Sequence, residues 1–166
     1  MTGQEQADFE DQLRERLAGA RRVAVVGIGD RLLPRDRLGM LAAEAVADLH
    51  LPGVTVFLAG TVPESMTGPI RRARPDHVLF LDSAEMGASP GTVAIVEPEG
   101  IHATLFSTHV LPLSVLMEFL KKDAHTRVTL IGIEPDAPAG KGPTPREEEG
   151  IRHLVMVLRD LLGGDR

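Results

Sequence analysis

The sequence predicts an α/β fold in which a mostly parallel sheet lies between helical layers. Three observations predict it. Five short apolar runs, each bounded by turn residues, read as strands. Helical patterns alternate with those runs, the arrangement expected when each strand is followed by a crossover. The length of 166 residues fits one domain with a proper core, and no internal repeat or linker divides it.

The elements follow in order. Residues 5 to 20 read as a helix with Phe9, Leu13 and Leu17 on one face. A strand over about 22–28 carries Val23, Ala24, Val25 and Val26, and Gly27-Ile28-Gly29 then opens a loop. A helix over about 37–49 turns Leu38, Leu41, Ala42, Ala45 and Leu49 inward, and Pro52-Gly53 makes a turn. Val54 to Leu58 is the second strand, a short helix spans about 65–73, and the third strand ends on Asp82. Gly91 to Val96, bracketed by Pro90 and Pro98, predicts a short edge strand. A helix over about 112–122 precedes the strand Arg127–Ile133, and 134–143 has no regular pattern. Thr144, Pro145 and Glu147 match an N-cap, a first-turn proline and a capping-box acid. The last helix would bury Ile151, Leu154, Val155, Leu158 and Leu162.

Composition excludes several classes of function. With no cysteine, disulfides, thiolate zinc sites and cysteine nucleophiles are all ruled out. A formal charge of −6, with no Trp or Tyr, argues against a nucleic-acid surface. No apolar stretch is long enough for a bilayer, and the acidic, polar N-terminus matches no secretory or transit signal. A cytoplasmic monomer is the expectation.

Three side chains able to hold a divalent metal follow the strands. Asp36 lies in the loop Gly29–Gly39, Asp82 closes the apolar run Val78-Leu79-Phe80-Leu81, and His109 sits in Ser107–Leu113. Parallel sheets gather such loops at their carboxyl ends, and two carboxylates with an imidazole leave a coordination position open. Asp36 has a second reading, as N-cap of the helix starting near Arg37. Asp82 is the stronger ligand candidate, because an unpaired carboxylate closing an apolar strand is costly as mere core. Among the six histidines His102 rivals His109, and composition does not choose between them. Gly27 and Gly29 do not complete a dinucleotide fingerprint, since Leu32 stands at the third glycine position.

Taken in order, Val26–Asp30, the Asp36 loop, Arg74-Pro75, Leu81–Gly87, Ser89-Pro90-Gly91, Thr108–Leu113 and Ile131–Asp136 resemble the hydrogenase maturation endopeptidases. The resemblance is nearest to the branch serving the formate-linked hydrogenase and runs from Arg22 to about Leu161. It implies a three-layer α/β domain with a twisted sheet of about five strands, preceded by a helical extension over 1–21. The implied activity is removal of the C-terminal extension from the large-subunit precursor of a nickel–iron hydrogenase. Asp36, Asp82 and His109 are then both ligands and catalytic groups, with the match at Thr108–Leu113 favouring His109 over His102. The implied ion is nickel, already inserted in the precursor and so supplied by the substrate; zinc also suits this donor set. A bound ion would polarise the scissile carbonyl and acidify a water.

The resemblance departs at four positions. Asp30 replaces an Asn, Arg35 the first of two acids, Arg37 a glycine after the ligand, and Leu58 an acid before Ala59-Gly60-Thr61. Two added cations are expected to weaken cation binding by repulsion. Lost supporting groups typically cost about ten- to a hundred-fold in affinity or activity. The reading is therefore a divergent peptidase. The alternative is a non-catalytic homologue that binds a metal or a partner's C-terminal tail, and a third reading is an unrelated metal hydrolase on the same sheet.

Overall fold

The computed structural model describes residues 3–97, 113–123, 125–137 and 140–164. Five strands, β1 (Val23–Ile28), β2 (Val54–Gly60), β3 (His77–Ser83), β4 (Val93–Val96) and β5 (Arg127–Ile133), form one sheet in the order β2-β1-β3-β5-β4. All neighbours are parallel except β4, which runs antiparallel to β5 at the edge. The helices are α1 (Gly3–Leu17), α2 (Leu38–Ala47), α3 (Thr67–Ala73), α4 (Leu113–Asp123) and α5 (Pro145–Leu162), with a 3-10 turn at Pro63–Met66 leading into α3. This is the expected three-layer α/β architecture.

Two cores form because successive strand residues face opposite sides. Val23, Val25, Leu79, Leu81, Ile131 and Ile133 join α1, α2 and α5 in one cluster. Ala24, Val26, Ile28, Val78, Phe80, Val128 and Leu130 join α3 and α4 in the other. Burial on both faces explains why β1 and β3 read as unbroken apolar runs rather than alternating ones.

Boundaries differ modestly from those predicted. Helix α1 stops at Leu17, three residues early, and α2 is trimmed at both ends. Strand β2 runs on to Gly60, where the register with β1 shifts between Gly27 and Ile28. Strand β4 begins at Val93 rather than Gly91. Gly91 has φ +80° and approaches α5 so closely that a Cβ there would lie 2.0 Å from the Arg146 carbonyl oxygen. The capping box of α5 is present: Thr144 Oγ1 accepts the Glu147 amide, and Glu147 Oε2 accepts the Thr144 amide at 2.7 Å. Among the described residues no helix is long and apolar enough to cross a membrane.

Candidate functional site

Chain connectivity reverses between β1 and β3. From β1 the chain moves outward to β2, then returns across β1 to β3. Open α/β sheets leave a crevice at such a point, beyond the carboxyl ends of the strands. The loop carrying Asp36 leaves β1 on one side of this crevice, and Asp82 is the penultimate residue of β3 on the other.

Two glycines bring these walls together. Gly29 has φ +122°, and a Cβ there would lie 1.7 Å from the Asp36 carbonyl oxygen. The loop folds back over the strand end, as the Gly27–Gly29 segment predicted. Gly39, in the first turn of α2, sits against the ends of both strands. Its Cβ would meet the carbonyl oxygens of Leu81 at 2.2 Å and Ile28 at 2.5 Å, and Asp82 Cα at 2.7 Å.

The Asp36 loop is held by its own bonds. Asp36 Oδ2 accepts the Asp30 amide at 2.9 Å, and Asp30 Oδ1 accepts the Leu32 amide at 2.8 Å. An Asn at position 30 has the same acceptor, so Asp30 keeps the loop's main contact. The N-cap reading of Asp36 is corrected here. Arg37 occupies the cap position with no side-chain bond, and the Leu38 amide goes instead to Ser83 Oγ at 3.2 Å. The Asp36 carboxylate is committed to Asp30, six residues back, so a strand residue caps the helix in its place.

Asp82 is 1% exposed and Asp36 5%. Asp82 Oδ1 accepts the Ser83 amide at 2.8 Å. Its Oδ2 is buried with no hydrogen-bond partner among the described residues. Burial, then the neighbouring Asp36 charge, holds the Asp82 carboxyl well above the usual carboxylate range, against a smaller opposing effect of the Ser83 amide. Two buried acids within electrostatic reach favour either a shared proton or a cation between them.

The neighbours are tied down. Arg35 pairs with Glu85, joining the loop after β1 to the loop after β3. The compensating carboxylate offsets the repulsion expected from Arg35. Arg37 is buried, its guanidinium donating to the carbonyls of Lys141, at 2.9 Å, and Gly142. It thus anchors the segment ahead of α5, although its charge remains near the site. Leu58 is 45% exposed on β2. Glu134, within the Ile131–Asp136 stretch, has a structural role that its sequence position alone does not specify: its Oε2 accepts the amides of Met86, at 2.6 Å, and Ala88, at 3.1 Å, fixing the loop after Asp82. An acid following an apolar strand signals Glu134 as clearly as Asp82. Ser83 had no such local signal.

His109 and its rival His102 both lie outside the described residues, in the segment between β4 and α4. His50 and His125 are exposed, and His153 on α5 lies tilted against Phe9 with ring centroids 6.2 Å apart. His77 is fully enclosed at the start of β3, remote from Asp82. Among the described residues no three His, Asp or Glu side chains converge as a cation site. Of the three expected ligands, the described residues therefore place only Asp36 and Asp82 near one another.

A family model for hydrogenase maturation proteases matches residues 40–142, a span that contains Asp82 and His109 and begins four residues after Asp36. The chain is 34% identical over 110 residues to the hydrogenase 3 maturation protease of Escherichia coli K12, covering 66% of this chain and 70% of that one. The crystal structure of the [NiFe] hydrogenase maturation protease HycI from Thermococcus kodakarensis superimposes with a TM-score of 0.81 at 28% identity, over 92% of this chain and 99% of that one. The E. coli hydrogenase maturating endopeptidase HybD gives a TM-score of 0.67 at 27% identity, over 84% and 91% of the two chains.

Proposed function

The chain belongs to the hydrogenase maturation protease family, and from that premise we propose that it is a metal-assisted endopeptidase that trims the C-terminal extension of a nickel–iron hydrogenase large-subunit precursor. The observation that carries the metal-assisted reading is Asp82 Oδ2, a buried carboxylate oxygen with no donor among the described residues, beside a second buried acid. Such an atom fits a cation, because pairing relieves both its desolvation and its repulsion from Asp36.

Asp82, Asp36 and His109 are the residues that would hold the ion. When bound, a divalent ion supplies Lewis-acid polarisation of the scissile carbonyl and a more acidic water. The nickel belongs to the substrate: a precursor already carrying it would meet the three side chains with its metal, so cutting would follow insertion. Zinc suits the same donors. Asp36 contributes rigidity besides charge, since its Oδ2 bond to the Asp30 amide fixes the carboxylate on its loop. Glu134 holds the loop after Asp82, and the Arg35–Glu85 pair spans the two loops, keeping the crevice walls in register.

The test is intact-mass analysis of a nickel-loaded large-subunit precursor after incubation with the protein. Loss of the C-terminal extension is expected, and only with the loaded precursor. An unchanged mass with stable association would favour a module that binds the tail without cutting it.

A further inference from the structure

A cleft of about 370 Å³ lies at the end of the sheet opposite the two acids, lined by Arg16 of α1, Lys121 of α4, and Thr126, Arg127 and Val128 at the start of β5, with His77 of β3 behind them. His77 and Asp82 are five residues apart on one strand, roughly 16 Å at the usual rise, so the cleft is separate from the candidate active site. We propose that it is a binding site for a phosphate monoester with an apolar body.

Three cations from three different elements converge there on a chain whose net charge is −6. The nearby carboxylates leave them accessible. Glu97 pairs with Arg16 and Glu118 with Lys121, but both acids are more than half exposed, and such surface pairs exchange readily for a better anion. Arg127 gives Nη1 to the Arg16 carbonyl at 2.9 Å and has no carboxylate partner among the described residues. Asp76 is turned away, its Oδ2 accepting the amides of Arg21 and Arg22. His77 Nε2 is engaged with Thr129 Oγ1 at 2.8 Å. The ring is pushed down to about 4, chiefly by burial and then by the Arg127 and Arg16 cations, which reports the positive potential behind the cleft.

Two guanidinium forks and an ammonium offer more donors than the two oxygens of a carboxylate use, whereas a phosphate has three terminal oxygens to receive them. Val128 and the aliphatic stems of the cations form an apolar wall, and the volume falls in the range of small-molecule sites.

The experiment is an NMR titration of the full chain with inorganic phosphate, phenyl phosphate and benzoate, at constant ionic strength set with sodium chloride. Saturable shifts are expected at the amides of 126–129 and the His77 ring, with phenyl phosphate tighter than inorganic phosphate. The His77 pKa should rise as the anion offsets Arg16 and Arg127. Arg127→Gln should weaken phenyl phosphate by roughly tenfold, the usual value of a charged hydrogen bond. Non-saturating or scattered shifts in the wild type would overturn the site, which needs no variant to fold. Equal affinity in folded Arg127→Gln would also overturn it, and tighter binding of benzoate would overturn the phosphate assignment. None of these results depends on whether the protein cuts a precursor.

Discussion

Ser83 Oγ accepts the amide of Leu38 at 3.2 Å, so the strand that carries Asp82 caps the helix that follows Asp36. One hydroxyl thereby locks the two acid-bearing segments together across 45 residues of sequence. Ser83→Ala should cost about 1 kcal/mol of stability, the usual value of a lost helix cap. It should lower kcat more than it raises KM, because the loss falls on alignment rather than substrate contact. Urea denaturation and precursor-cleavage kinetics check both. An unchanged kcat would mean that the bond has no part in alignment.

Asp82→Asn should separate stability from activity. The amide keeps an acceptor for the Ser83 N–H but removes a carboxyl whose ionised form is opposed by burial first and then by Asp36. At neutral pH the protein without metal should gain on the order of 1–2 kcal/mol while precursor cleavage is lost. The sign follows from linkage: a carboxyl raised in the folded state stabilises it at low pH, and that contribution is lost as pH rises through the raised pKa. The advantage of the variant should therefore shrink on acidification. A variant less stable than wild type at pH 7 would show that the charge is compensated within the protein.

Gly39→Ala tests the close approach of α2. The added methyl would lie 2.2 Å from the Leu81 carbonyl oxygen and 2.5 Å from that of Ile28, both backbone atoms with no side-chain freedom. Displacing the helix should cost about 2–3 kcal/mol, despite the higher helix propensity of alanine. A melting temperature equal to wild type would mean that the crevice walls are looser than this packing implies.

His109→Ala should abolish cleavage and leave the circular dichroism spectrum and melting temperature unchanged, while His102→Ala should retain activity. The reverse result would move the third ligand to His102. Zinc or nickel affinity measured calorimetrically on both variants gives an independent reading.

Much of this architecture was legible in the chain. Apolar runs and capping signals are local, so β5 and the Thr144–Glu147 cap match the structure residue for residue. Asp82 was legible for a local reason too, an acid closing a buried strand. What escaped was contact between distant segments. Nothing near Ser83 reveals that it caps a helix 45 residues earlier, and nothing near Arg37 reveals that it anchors the carbonyls of 141 and 142. The second reading of Asp36, as a helix cap, follows from Asp commonly preceding helices; a bond to Asp30 N–H, made possible by the left-handed turn at Gly29, prevails over that role.

His77 makes stability depend on pH away from the site. It is 2% exposed, and its ring falls from an ordinary 6.5 to about 4, through burial first and then the Arg127 and Arg16 cations, with the Arg16 carbonyl pulling the other way. Between those values the unfolded chain takes up a proton that the native ring refuses, so stability must fall as pH falls from about 6.5 towards 4 and level off above. At pH 5 the loss should be about 2 kcal/mol, one unit of pH being worth about 1.4. Urea denaturation of wild type and His77→Gln at pH 7 and pH 5, in a chloride rather than a phosphate medium, isolates this contribution. Glutamine has no ionisable ring, so its loss between the two pH values should be smaller by that amount. Equal losses in the two proteins would place the titrating group elsewhere, with the buried carboxylates as the next to test.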